Sequence, residues 1–89
     1  MIIRGKSEMG EAEIIEHAMK YFIGDHNLEV VSQTVNAISF SGSKGTVNIT
    51  VDEQGPDSEV QIITEGLEAE SKAFLQSVAY EVTQGETSS

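Results

Sequence analysis

His17, Asp25 and His26 form the chain's one grouping of imidazole and carboxylate. Such side chains bind zinc or relay protons when they converge. Their spacing argues against convergence. His17 falls in the middle of a helical pattern on its polar side, and Asp25–His26 follow the end of that pattern. The two groups are more than about 10 Å apart along a helix axis, so they read as surface residues. A second cluster, Asp52, Glu53, Asp57 and Glu59, crowds a turn. Oxygen-rich loops hold Ca²⁺, but the spaced Asp/Asn/Gly pattern of an EF-hand is absent and Pro56 interrupts the run. The expectation is a solvated acidic turn. "GSKGT" (42–46) resembles a phosphate-binding loop in composition, yet it joins two strands. No helix N-terminus follows to supply a dipole, which leaves an exposed Lys44 on a hairpin turn.

The chain has no cysteine, which excludes disulfides, thiolate nucleophiles and cysteine-type zinc sites. It also has no G-x-S-x-G, no Walker-type loop and no G-x-G-x-x-G. No set of residues points to a reaction. The expectation is a non-enzymatic protein, with no catalytic residue, cofactor or metal ligand assigned.

Eighty-nine residues suffice for one domain and one modest core. Fifteen acids against five bases give a net charge of −10. Arg4, Lys6, Lys20, Lys44 and Lys72 are scattered, whereas phosphate binding needs clustered bases. Neither nucleic acid nor an anionic membrane is an expected partner. Solubility explains the acid excess, and a halophilic origin would explain it equally. "MIIRGKSEMGEAE" lacks the apolar centre of a secretory signal, and no run approaches the length of a membrane span. A soluble, cytoplasmic protein is expected.

The elements follow from periodicity. Met1–Ser7 reads as a strand. Gly10–Ile23 reads as a helix with Ile14, Ile15, Ala18, Tyr21 and Phe22 on one stripe and Gly24 as its stop. "LEVVSQT" (28–34) and "AISFSG" (37–42) read as strands. Val47, Ile49 and Val51 then alternate with polar residues, and Val60 and Ile62 resume the alternation after "EQGPDS". That is a hairpin of strands 46–52 and 59–64. Leu67–Val82 reads as a second helix, with Leu67, Phe74, Leu75, Val78 and Val82 as its stripe and Gly85 as its stop. Residues 85–89 read as a flexible polar tail after a single domain of residues 1–84.

The order is β-α-β-β-β-β-α. It predicts an α+β fold: a curved antiparallel sheet of about five strands, both helices on one face, the last four strands in a meander and the first strand at an edge. This order, with "LEVVSQT", "ISF", "VNITV" and "VQII" following a helix that ends near Gly24, resembles one repeat of the TATA-binding-protein fold. It also resembles a shortened helix-grip fold of the START type. The resemblance covers residues 1–82 and implies architecture alone. DNA binding by the former needs bases and aromatic wedges around the sheet, and Thr46, Asn48, Thr50 and Asp52 stand there instead.

The expected core is Ile14, Ala18, Phe22, Ile38, Phe40, Val47, Ile49, Val51, Val60, Ile62, Phe74, Leu75 and Val78. Of the neighbours Val30–Val31 and Ile62–Ile63, one of each must face away from the helices. Val31, Val35 and Ile63 are therefore candidates for an apolar interface patch. Met19, Tyr21, Phe74, Val78 and Tyr80 are candidates for a pocket between the second helix and the sheet. The function expected first is a protein-interaction module, self-associating or binding another protein through the outer sheet face or an edge strand. A binder of a small apolar ligand comes second, and an enzyme last.

Overall fold

A computed structural model describes residues 1–84. The expected stop at Gly85 and the expected flexible tail of 85–89 lie outside the described residues. The elements are β1 (Ile2–Ser7), α1 (Glu11–Met19), a π-helical segment (Lys20–Asp25), β2 (Glu29–Gln33), β3 (Ala37–Ser41), β4 (Thr46–Gln54), β5 (Asp57–Glu65), α2 (Glu68–Val78) and β6 (Glu81–Gln84). All pairings are antiparallel, in the order β2-β3-β4-β5-β1-β6. Both helices pack on one face of this sheet, and the smallest extent, 19 Å, is that of two layers.

Alternation sets the sheet's two faces. Along β4, Val47, Ile49 and Val51 are buried while Thr46, Asn48, Thr50 and Asp52 are exposed. Register carries the same phase across the sheet: Ile49 opposes Ile38 and Ile62, and Ile62 opposes Ile3. The helices close over this layer with Ile14, Ile15, Ala18, Phe22, Phe74, Leu75 and Val78. Phe22 lies at the centre, 5.2 Å from Phe40 and 5.4 Å from Phe74 between ring centroids. Every expected core residue is buried. Ile3, Ile15, Leu28 and Leu67 belong to the core as well.

Three boundaries differ from expectation. The first helix does not stop at Gly24. It widens into the π-helical segment and ends at Asn27, whose φ of +59° is the left-handed conformation that asparagine tolerates. Leu28 N then donates to Phe22 O. The hairpin strands run closer to the tip than 52 and 59, leaving only Gly55–Pro56 as the turn. Gly55, at φ +69°, supplies the positive φ that tight hairpins need.

The third difference changes the topology. The second helix ends at Val78, and residues 81–84 form a sixth strand beside β1. β1 is therefore interior, between β5 and β6, and not an edge. Val82 is a strand residue opposite Gly5. A local reading misses this because Val82 keeps the i+4 spacing from Val78. The stop is non-local. Ser7 Oγ, buried in β1, donates to Val78 O and accepts Met9 N, and Tyr80 N donates to Lys6 O. Gly5 permits the close approach, since a Cβ there would lie 2.8 Å from Glu81 O and 3.2 Å from Leu75 Cδ1.

Candidate interaction surface

The chemically suggestive residues have structural partners. At the hairpin tip, Glu53 Oε2 accepts Glu11 N at 2.8 Å, placing a carboxylate on the N-terminus of α1. The helix dipole favours that charge. Asp57 Oδ2 accepts the Tyr80 hydroxyl at 2.7 Å, which joins the tip to the start of β6. This bond to Asp57 raises the Tyr80 pKa, and desolvation and nearby acids add to the rise. The acidic tip thus anchors α1 and β6.

His17, Tyr21 and Asp25 follow at intervals of four and line one shallow groove of about 260 Å³ with Lys20, Phe74 and Ser77. Burial raises the Tyr21 pKa, and the charges of Glu70 and Asp25 add to it. His26 packs edge-on against the Tyr21 ring at 4.7 Å. Among the described residues, no three His, Asp or Glu side chains are gathered as a metal cluster would need. Lys44 sits in the β3–β4 turn, closed by Gly42 and Gly45 bonding each other's backbones.

The five candidate pocket residues do not share one cavity. Phe74 and Val78 are buried in the layer between α2 and the sheet, and Met19 and Tyr21 are half-buried against it. Tyr80 is 56% exposed at the opposite margin, near the hairpin tip. Its position follows from the early end of α2.

The three candidate interface residues are all exposed, but they separate into two places. Ile63 is on the helix-free face of β5, beside Ile2 of β1 and Asn48 of β4. Val31 is on β2, three strands away, which is about 14 Å at ordinary strand spacing. The face between them carries Ser39 and Asn48. Val35, 81% exposed, lies in the turn after β2 and stays with Val31.

β2 is where exposed apolar side chains gather. All five of its residues are exposed. A β-bulge between Val30 and Ser32 leaves Val31 without a partner in β3, and Val31 is 66% exposed. Val30 opposes Phe40 on the helix side. Ile23, also exposed, accepts Asn27 N at the turn leading into β2. Of the seven exposed large apolar side chains among the described residues, three (Val30, Val31 and Val35) lie on this edge or the turn after it, and Ile23 lies in the segment that leads into it. Sequence reasoning found Val31 and Val35 and missed Ile23 and the role of Val30. The signal it missed is charge: from Val30 to Ser43 the chain has no Asp, Glu, Lys, Arg or His, although its net charge is −10.

The helix-free face is different. Arg4 and Lys6 stand mid-sheet among Glu59, Glu81, Thr83 and Gln61, with Arg4 Nε donating to Gln61 Oε1 at 3.3 Å. Glu29, Asp52 and Glu65 continue the acidic character. Among the described residues, no helix is long and apolar enough to cross a membrane. No protein-family model matches this chain, and no curated protein matches it significantly.

Proposed function

We propose that this chain is a small, non-catalytic protein-interaction module whose working surface is the β2 edge. There it takes up an extended segment of a partner as an additional strand. The observation that carries this reading is the coincidence of open strand edge, exposed valines and absent charge over residues 30–43. An edge strand offers unpaired backbone groups. Main-chain hydrogen bonds then give affinity, and alternate side chains give selectivity. Glu29 is the one charged residue of β2, so the preferred segment is uncharged, apolar and β-branched. The bulge limits how long a regular ladder can be.

Nucleic acid falls outside this reading because Glu29, Asp52, Glu59, Glu65 and Glu81 surround the two bases of the open face. A small apolar ligand between α2 and the sheet would have to displace Phe74, Leu75 or Val78. Within the same proposal we place the layout near the helix-grip and TATA-binding-type folds. The four-strand meander followed by a helix supports that placement, and the sixth strand beside β1 departs from it.

Peptide display tests the proposal. Extended peptides selected on the wild-type protein should be rich in Val, Ile and Thr, slow amide exchange in Glu29–Gln33, and lose binding to Val31→Lys. Peptides that bind Val31→Lys equally well, or that protect amides elsewhere, would overturn it.

A further inference from the structure

We infer that the segment taken up at the β2 edge is the β2 edge of a second copy of this chain, in an antiparallel two-fold pair centred on Val31. The inference rests on the reading of β2 as the interaction surface and names its partner.

Charge is the first argument. Two copies at −10 each repel wherever their acids meet. The opposite edge, β6, begins at Glu81, and the Tyr80 hydroxyl beside it feels Asp57, Glu81 and Glu8 together. Residues 30–43, which take in β2 after Glu29, the turn behind it and β3, form the one long stretch free of ionisable side chains. Two copies meet there with the least repulsion.

The sequence of β2 is the second argument. Antiparallel pairing centred on Val31 sets Val31 against its own copy, as an isologous contact requires, and puts the two Glu29 residues on opposite sides of the axis, about 13 Å apart along the strands. No acid of one strand therefore faces an acid of the other. A two-fold axis perpendicular to the continued sheet keeps the helices of both copies on the same side. Val30, opposite Phe40 on the helix side, then meets the seam from both copies. The strand is five residues long and bulged, so the contact falls below the roughly 1,200 Å² of a stable interface and the dimer is weak.

The absence of cysteine makes the test direct. Val31→Cys should form a disulfide-linked dimer under mild oxidation, whereas Thr50→Cys, on the open face of β4, should not. Wild-type protein should sediment as a monomer–dimer equilibrium over about 10 μM to about 1 mM. Added salt should shift it toward dimer by screening the remaining repulsion. Val31→Lys should stay monomeric with an unchanged circular dichroism spectrum. The inference is overturned if wild type remains monomeric throughout, if Val31→Cys cross-links no faster than Thr50→Cys, or if Val31→Lys dimerises like wild type. Loss of self-pairing while selected peptides still protect β2 would remove the second copy and leave the edge as the interaction surface. Loss of both would remove the edge itself.

Discussion

The sheet has two outer strands, and they are finished in opposite ways. β6, described over Glu81–Gln84, is fastened to the body at its entrance. Tyr80 binds Asp57, Tyr80 N binds Lys6 O, and Ser7 holds the carbonyl of Val78 just before it. β2 carries one acid, a bulge, and valines facing water, and nothing charged follows it until Lys44. Natural sheets protect their edges with charge, shortness or distortion. Each strand begins with one glutamate; β2 alone is bulged, and β6 alone is fastened at its entrance. The difference teaches that the finished margin is marked by its fastening to the body, and the working one by a long uncharged stretch after its single acid.

The comparison can be broken in stages. Phe74→Ala should be most damaging, about 3–5 kcal/mol by chemical denaturation, because the ring packs against Phe22 and Tyr21 and both edges hang on that core. Ser7→Ala acts on the β6 side alone. It leaves Val78 O and Met9 N without their buried partner and should cost about 1–3 kcal/mol, with faster amide exchange in β6 than in β2. Glu53→Gln removes the charge at the N-terminus of α1 and should cost about 0.3–1 kcal/mol, less in high salt.

Tyr80→Phe should lower the thermal midpoint slightly, and pH sharpens the test. The phenol holds its proton more tightly in the folded protein than in the unfolded chain. Its contribution is therefore complete below the ordinary tyrosine value of 10.0 and disappears as pH rises through the raised one. Wild type and variant should converge in stability at strongly alkaline pH. Val31→Lys should have the smallest effect on stability, within about 0.5 kcal/mol. A large loss there would mean that β2 is a structural margin like β6.

Much of the scaffold was legible because period-two and period-3.6 patterns report which side of an element is buried. Val47, Ile49 and Val51 declare β4, and Phe74, Leu75 and Val78 declare α2. β6 was illegible for a physical reason: four residues carry little pattern, and the hydrogen bond that ends α2 comes from Ser7. The π-helical widening before Asn27 was hidden likewise, since Gly24 offered a plausible nearer stop. At the candidate surface, the adjacency of Val30 and Val31 showed that one must face water. Only strand order could show that Val35 stays with them and Ile63 does not.

The interior position of β1 has a consequence for synthesis. Its neighbours are residues 58–63 on one side and 81–84 on the other. In a chain emerging from the ribosome, β1 has no strand to pair with until residues 58–63 have appeared, and gains its second partner only with residues 81–84. Pairings so distant along the chain close slowly. Until then Ile3, fully buried in the finished sheet, lacks its cross-strand neighbour Ile62.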